Sequence, residues 1–270
     1  MHTQLHPRSR RHSERIRQGE TRMLRRLKDL KAFVIGAKDG DIGVASDFIF
    51  DDKNWTIRYV VVDTNPWLPG GKVIISPIIM AQADWEAKRL PVLLTREQVK
   101  NSPDIRMDED LSAQDEMKYF DHYGWPYYWV GAGTWGPVTT PHDLLVKEVD
   151  RKTALAEKVN QSHLRSMKNV ADSTIQATDG DIGHVHDFII DDDPWVIRYM
   201  IVDTGNWWPG KKVLVAPTWI SNVDWKNSNV YVNLSRETIK SAPGFGVDKL
   251  DRAYEAELYR HYGQENYWWC

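Results

Sequence analysis

Cysteine and long apolar runs are nearly missing from this chain. The single cysteine, Cys270, excludes an internal disulfide and fits a reducing compartment. No run of about 18 apolar residues occurs, so the sequence predicts no membrane-spanning helix. The N-terminus is basic but lacks the apolar segment of a secretory signal. Together these absences predict a cytoplasmic protein, and peripheral attachment to the inner membrane is compatible with them.

The sequence motifs of the common enzyme classes are missing as well. There is no G-x-x-x-x-G-K-[ST], no H-E-x-x-H and no G-x-S-x-G. Gly131, Gly133 and Gly136 match G-x-G-x-x-G, but no strand leads into them and Pro137 follows where a helix would begin. Cys270 is terminal and lacks the surroundings that activate a thiol. The sequence therefore predicts a protein that is not an enzyme and needs no cofactor.

What the chain does have is an internal duplication. Residues 39–103 return as residues 179–243 without a gap, and about 31 of the 65 aligned pairs are identical. A repeat this complete predicts two domains of one fold. A residue kept in both copies serves the shared fold or a shared surface. The repeated motif comprises Asp41, Gly43, Asp47, Arg58 and Asp63 in the first copy and Asp181, Gly183, Asp187, Arg198 and Asp203 in the second.

The duplication and the composition divide the chain into four parts. Residues 1–22 form a basic tail, residues 23–128 the first repeat, residues 129–163 a linker, and residues 164–270 the second repeat. The tail is rich in Arg, His and Ser and poor in apolar residues, so we predict that it is disordered. Met23 stands directly before the first repeat and offers a second start site.

The charge is distributed unevenly along the chain. Residues 1–28 contain nine Lys/Arg and two Glu, a net charge of +7. Because the whole chain carries −3, the remaining residues carry −10. An acidic body disfavours a surface that binds phosphates. Binding to RNA or to an anionic membrane is therefore expected only through the tail, for which solvated charge without a partner is the simpler interpretation.

Each repeat reads as short strands followed by two short helices. In the first copy strands are predicted over 32–37, 42–50, 55–62, 72–76 and 89–94, with 78–81 as a further candidate. Thr95 and Ser112 are predicted N-caps of the helices. The fold class is therefore mainly β with short helices, arranged as two tandem antiparallel β-barrels that are each followed by short C-terminal helices.

The repeated charged residues allow two interpretations each. The aspartates either shape turns and cap backbone N–H groups or form a weak cation site. Arg58 and Arg198 lie mid-strand, where they either form a structural ion pair, with an acid such as Asp47 or Asp63, or recognise a partner. The turn and ion-pair interpretations are favoured because Asp and Gly prefer turns and a buried cation needs a counterion.

Two histidines in the second copy are candidate metal ligands. His184 and His186 are two residues apart on a predicted strand, so they lie on one face, as a metal pair would. The first copy has Val44 and Ser46 at these positions, so the fold does not need histidine there. Third and fourth ligands are not evident, which favours ordinary surface histidines.

An aromatic loop recurs between two predicted strands of each copy. It reads Trp67-Leu68-Pro69-Gly70 in the first copy and Trp207-Trp208-Pro209-Gly210 in the second. An exposed tryptophan beside Pro and Gly is a candidate anchor for a protein partner. A tryptophan folded back over the end of a barrel is the alternative. The candidate interaction residues are Trp67, Pro69, Trp207, Trp208 and Pro209.

The order of these motifs resembles the PRC-barrel domain, the module named for the cytoplasmic domain of the photosynthetic reaction centre H subunit. The similar segments are Gly-Asp-Ile-Gly, Asp-Phe-Ile, Trp-x-Ile-Arg-Tyr-x-x-Val-Asp-Thr and Trp-x-Pro-Gly, over about 31–124 and 170–263. The barrel also occurs in a ribosome-maturation factor. The closing residues resemble those of bacterial tandem PRC-barrel proteins: Glu116, His122-Tyr123-Gly124 and Tyr128-Trp129, repeated as Glu255, His261-Tyr262-Gly263 and Tyr267-Trp268.

The resemblance implies six-stranded barrels that bind proteins and have no established catalytic residues. Unlike the H subunit, this chain has two such repeats and no predicted membrane-spanning helix. Our leading hypothesis is a non-catalytic adaptor that presents paired surfaces to an unidentified protein partner, for example in a membrane-associated complex. The alternatives are an RNA- or ribosome-associated factor and a weak metal-binding protein. The sequence leaves open whether the two repeats pack together.

Overall fold

The computed structural model describes residues 24–68, 71–105, 111–147, 163–205, 211–246 and 250–268. The protein is mainly β, as predicted, with several short helices. The basic tail lies outside the described residues. No helix in the described ranges is long and apolar enough to cross a membrane.

Thirteen strands are present in the described residues. They are β1 (Leu24–Arg26), β2 (Val34–Ala37), β3 (Gly40–Asp51), β4 (Thr56–Asp63), β5 (Lys72–Ile75) and β6 (Arg89–Pro91) in the first half, and β7 (Leu164–Ser166), β8 (Thr174–Ala177), β9 (Gly180–Asp191), β10 (Val196–Asp203), β11 (Lys212–Val215), β12 (Ile220–Asp224) and β13 (Asn229–Val232) in the second.

Short helices follow or interrupt the strands. They are α1 (Leu27–Leu30), α2 (Arg96–Lys100), α3 (Ala113–Tyr123), α4 (Pro141–Leu144), α5 (Met167–Val170), α6 (Arg236–Ser241) and α7 (Arg252–His261). The predicted caps are confirmed: Thr95 and Gln98 form a capping box at α2, and the Ser112 hydroxyl accepts from Asp115 N at α3. Gly124 ends α3 in the left-handed conformation that glycine favours.

All strands belong to one mixed sheet, with the order β12-β13-β8-β9-β10-β4-β3-β2-β6. The expectation of purely antiparallel pairing is wrong, because β6 lies parallel to β2 and β13 lies parallel to β8. These strands are not consecutive in the chain, and the connection that returns beside β2 brings β6 in along the same direction. Among the described residues the strand order is open at β6 and β12.

The predicted strand at 78–81 is instead a 3-10 turn over Pro77–Ile79. Pro77 at the first helical position has the φ angle that a turn needs, and the Ser76 hydroxyl accepts from Ile78 N. In the second half the corresponding turn, Pro217–Trp219, leads directly into β12. The motif glycine Gly43 is required sterically, because a Cβ there would overlap the carbonyl oxygen of Asp63.

The two halves meet where β4 and β10 begin. Ile57 N donates to Trp195 O at 2.8 Å, and Ile197 N donates to Trp55 O at 2.7 Å. Thr56 lies opposite Val196 in this short antiparallel pairing. The contacts are reciprocal, which makes the two halves related by an approximate two-fold axis at this point.

The first residues of each half also pair with a strand of the other half. We call residues 24–30 the first arm and residues 164–170 the second arm. The first arm pairs through β1 with β9 of the second half, and the second arm pairs through β7 with β3 of the first half. Both arms are anchored by buried apolar side chains, namely Leu27 and Leu30 on α1 and Met167 and Val170 on α5.

The motif residues Asp47 and Asp187 receive these arms. Ser166 Oγ donates to Asp47 Oδ2 at 2.6 Å and accepts from Lys168 N at 3.1 Å. In the other half Lys28 N donates directly to Asp187 Oδ1 at 3.2 Å. Both aspartates are about 6% exposed. Their presence in both copies is therefore explained by the arm of the opposite half that each one holds.

The two arm contacts differ at one position. Arg26 stands where the second arm has Ser166, and its guanidinium pairs with Asp29 on its own arm at 2.8 Å. Among the described residues Asp187 Oδ2 has no hydrogen-bond partner. Burial raises the pKa of the Asp187 carboxyl above its ordinary value. The second arm is thus held by a more complete polar contact than the first.

We expect Ser166→Ala to lower the free energy of unfolding by about 1 kcal/mol, because the hydroxyl both caps α5 and donates to a buried carboxylate. The matched control is Arg26→Ala, which removes a partly exposed ion pair and should cost less than about 1 kcal/mol. Urea unfolding followed by tryptophan fluorescence measures both. An equal loss in the two variants would contradict the arrangement.

Candidate functional site

The motif arginine Arg58 lies in a closed chamber in the first half. It is about 1% exposed. Its Nη2 donates to Asp51 Oδ2 at 2.9 Å, and its Nη1 donates to the Thr134 carbonyl at 2.7 Å. The guanidinium lies over the rings of Tyr128 and Trp135, at 4.0 and 4.7 Å from their centroids. These contacts surround the cation with an acid, a carbonyl and two aromatic faces.

The predicted ion pair is confirmed, but its predicted acid is wrong. The partner is Asp51, not Asp47 or Asp63. The strand register explains this, because Asp51 pairs with the first residue of β4, whereas Asp63 is at the far end of that strand. Burial alone would raise the pKa of Asp51, but the charge and hydrogen bond of Arg58 outweigh it and hold the pKa below its ordinary value.

A buried carboxylate adjoins this chamber. Glu116 on α3 is about 1% exposed, and its Oε1 accepts from the hydroxyls of Tyr59, at 2.9 Å, and Tyr128. Burial, and then the negative charge of Glu116, raises the pKa of both tyrosines well above the ordinary value. Both phenols therefore stay protonated and act as fixed donors. Tyr128 joins the two groups, because its ring faces Arg58 while its hydroxyl reaches Glu116.

The second half repeats this arrangement with a more open wall. Arg198 donates to Asp191 at 3.1 Å and lies 4.3 Å from the Tyr267 ring centroid. Glu255 accepts from Tyr199 at 2.7 Å and from Tyr267 at 3.0 Å. The Arg198 side chain is 20% exposed, whereas that of Arg58 is 1% exposed. Arg58 is the less exposed of the two arginines because the segment that contains Thr134 and Trp135 covers its guanidinium.

That segment belongs to the predicted linker, whose structural role the sequence did not reveal. Trp135 is fully buried, and its Nε1 donates to the carbonyl of Pro194 in the second half at 2.7 Å. Leu144 on α4 is also buried, and the His142 ring lies 3.2 Å from the Ile78 carbonyl. Residues 129–147 thus pack onto the body, while the rest of the linker before His163 lies outside the described residues.

The repeated aspartates mostly serve turns and caps, as the favoured interpretation predicted. Asp39 and its counterpart Asp179 each accept a backbone N–H at the start of a helix, at 2.7 Å. Asp63 accepts from Asn65 N at 3.1 Å, and Asp203 accepts from Gly205 N at 2.9 Å. The two remaining motif acids are Asp41, which pairs with Arg89, and Asp181, which accepts from Gly183 N at 3.2 Å.

The aromatic loop is described only in part. Trp67 is half-buried and packs against the core, and the Arg96 guanidinium lies 4.6 Å from its ring centroid. One face of the ring is thus covered. Pro69, Trp207, Trp208 and Pro209 lie outside the described residues.

The two strands that precede the aromatic loops in the chain point away from each other. β4 and β10 run antiparallel and pair only at their first residues. Seven residue steps along each strand, at about 3.3 Å per residue, give a separation of up to roughly 45 Å between their last residues, Asp63 and Asp203.

The candidate metal histidines have separate surroundings. His186 Nε2 lies 2.7 Å from Lys212 Nζ, so the ammonium occupies the lone pair that a metal would need. Burial and the charge of Lys212 lower the pKa of His186. His184 borders a cleft of about 300 Å³ together with Asp172, Thr174, Asp181 and Gly183. Nowhere in the described part of the chain do three or more His, Cys, Asp or Glu side chains come together as a metal site.

Comparison with known proteins gives a partial match. No model of a known protein family matches the chain. A stretch of 95 residues is 34% identical to an uncharacterized protein of Deinococcus radiodurans. The match covers 34% of this chain and 32% of that relative, so the chain spans about a third of the relative's length.

Proposed function

We propose that this chain is a non-catalytic adaptor that binds proteins through surfaces presented once by each half. The observation that carries the proposal is the burial of Arg58 and Glu116 in the first half, two ionisable groups that recur in the second half as Arg198 and Glu255. Arg58 and Glu116 are each about 1% exposed and are paired with groups of the fold. A dissolved substrate cannot reach them, so their repetition is explained by folding. What remains for function is the surface.

We further propose that each half is a PRC-type barrel. In the first half the strand order is β5-β4-β3-β2-β6. Beyond β6, Val92 bridges to Met80, and Leu93 N donates to Ile79 O at 2.8 Å. This pairing brings the segment that follows β5 beside the segment that follows β6. It supports a sheet that curls around a shared core, with α3 attached where Tyr119 donates to the Ile74 carbonyl at 3.0 Å.

The aromatic loops are the proposed contact surface. In the chain each follows a long central strand, and the last residues of these strands, Asp63 and Asp203, lie at opposite ends of the β4–β10 pairing. Trp67 keeps part of its ring accessible while Arg96 supports the other face. A half-buried tryptophan held in place loses little conformational entropy on binding, which suits an anchor residue. The separation of the strand ends that precede the loops favours two partner molecules for each chain.

The test compares wild-type protein with the variant Trp67→Ala/Trp207→Ala/Trp208→Ala in affinity purification from native membranes and cytosol. We expect a partner to be recovered with wild type and lost with the variant, because the large apolar anchors are removed. The partner is then purified and titrated against the chain, and we expect two molecules to bind per chain.

The matched control is Leu93→Ala/Tyr231→Ala, which removes exposed apolar surface elsewhere. Both variants must first show wild-type circular dichroism and urea midpoints. Recovery of the same proteins by wild type and the triple variant would refute the loops as anchors. Loss in the control variant as well would show that the recovery depends on general apolar surface.

A further inference from the structure

The junction between the two halves has the contact pattern of a symmetric dimer. In such an interface residue i of one partner touches residue j of the other, and residue j of the first touches residue i of the second. Equivalent residues of the two halves are 140 positions apart. At the centre, Ile57 N donates to Trp195 O, and Ile197 N donates to Trp55 O. The second bond joins the equivalents of the two residues in the first bond, as in a symmetric dimer.

The two arms also make equivalent contacts in opposite directions. Leu24 on β1 pairs with Asp191, and its equivalent Leu164 on β7 pairs with Asp51. Arg25 of the first arm lies 4.5 Å from the ring centroid of Trp85. Its equivalent in the second arm, Arg165, lies 5.2 Å from that of Trp225, the equivalent of Trp85. Each arm thus pairs with a strand of the opposite half, while its arginine lies over a tryptophan ring of its own half.

The acids that hold the arms are equivalent as well. Asp47 takes the second arm through Ser166, and Asp187 takes the first arm through Lys28 N. Asp52 of the first half pairs with Arg165 at 3.1 Å. In the second half, burial raises the pKa of the equivalent acid, Asp192, and the charge of the equivalent arginine, Arg25, opposes this shift. The strand pairings across the junction therefore occur in both directions, whereas the Ser166 hydroxyl contact and the bond from Trp135 to Pro194 occur once.

We propose that each half carries a self-recognition surface whose fitting partner is a second copy of the same repeat, so that the chain is a two-fold dimer joined in one polypeptide. The covalent connection between residues 148 and 162 is then not needed for the association of the halves. A first half should pair with another first half, and a second half with another second half.

The polar contacts of the two self-pairs differ. In a pair of second halves, both arms bring Ser166 to Asp187, and both buried carboxylates gain the hydroxyl that Asp187 lacks in the intact chain. In a pair of first halves, both arms bring Arg26 to Asp47, and neither hydroxyl contact forms. A pair of second halves in turn lacks Trp135, which bonds to the carbonyl of Pro194 across the junction of the intact chain. Each self-pair therefore misses one contact of the intact junction, and we expect both to form.

The experiment uses the full chain with a protease recognition sequence inserted between residues 148 and 162. The folded protein is cut, and its mass is measured by size-exclusion chromatography with light scattering. We expect the fragments to elute together at the mass of the uncut chain. The cut protein is then unfolded in urea, refolded by dilution and examined by native mass spectrometry. We expect the mixed pair and both self-pairs.

Two controls keep the outcomes separate. The uncut chain is unfolded and refolded in parallel, which reports the refolding yield. Because aggregation during refolding would hide self-pairs, isotope-labelled and unlabelled cut protein are also incubated together without denaturant, and re-paired fragments are identified by mass. Separation of the fragments after cutting would overturn the proposal. So would mixed pairs alone, without either self-pair, because the halves would then recognise only each other.

Discussion

Replacing Arg58 by Met is expected to lower the free energy of unfolding by about 3–5 kcal/mol, the loss typical of breaking a buried ion pair from one side. Met fills a similar volume without a charge. It leaves the Asp51 carboxylate without its cation and the Thr134 carbonyl without its donor. It also removes the cation from two aromatic faces. Urea unfolding at neutral pH measures the loss.

Two further variants identify the cause. Adding Asp51→Asn to Arg58→Met should restore part of the stability, since no buried charge is then left unpaired. Arg89→Met is the matched surface control. The Arg89 side chain is 39% exposed and that of its ion-pair partner Asp41 is 57% exposed, so we expect a loss in the free energy of unfolding below about 1 kcal/mol. If the double variant were no more stable than Arg58→Met, packing rather than the unpaired charge would account for the effect.

The same pair predicts a dependence on pH. The pKa of Asp51 is lowered in the folded protein, so its contribution to stability is present above the ordinary value of 3.8 and is lost as the pH falls through the folded value. Without Arg58, burial remains as the main influence and raises this pKa. The stability difference between wild type and Arg58→Met should therefore begin to shrink above the ordinary value of 3.8, as the pH falls through the raised pKa of the variant, and shrink further as the pH falls through the lowered pKa of wild type.

Replacing Trp135 by Ala is expected to cost about 3–5 kcal/mol, because it empties the volume of a fully buried tryptophan. The ring covers Arg58 and its Nε1 bonds to Pro194 of the other half, so the loss affects both the chamber and the junction. Trp135→Phe keeps much of the ring and loses the hydrogen bond. It should cost more than about 1 kcal/mol, the value of that bond alone, and less than Ala.

The measurement is urea unfolding of all three proteins, read by circular dichroism since tryptophan is being removed. The structure makes residues 129–147 part of the folded body. A loss below about 1 kcal/mol for Trp135→Ala would contradict this and return the segment to a simple linker.

Much of the secondary structure could be predicted, because it depends on local pattern. The alternation in β3, the β-branched run in β4 and the caps at Thr95 and Ser112 are all encoded within a few residues. The duplication also identified the residues that matter to the fold, among them Arg58. Its acid was not predictable from spacing alone, since the choice of Asp51 depends on strand register.

The features that the sequence did not reveal are those that join distant parts of the chain. Trp135 appeared to belong to a glycine-rich linker, and only its contact with Pro194 gives it a structural role. The arms were not predicted as strands, since the first predicted strand of the first copy begins at residue 32. Periodicity indicates that a segment is a strand but not which neighbour it pairs with, and two similar repeats offer two equivalent edges. The exchange between the halves is therefore a property of the tertiary structure.

The crossed arms have a consequence for synthesis of the chain on the ribosome. The first arm leaves the exit tunnel early, but β9, the strand it joins, is made more than 150 residues later. The edge of β3 likewise waits for β7, more than 110 residues further along. At elongation rates of about 5–20 residues per second these two intervals last roughly 5–30 seconds. During this time the nascent first half has an unpaired strand edge and exposed leucines in its arm. The growing chain is therefore most prone to pairing with other nascent chains before its second half is made.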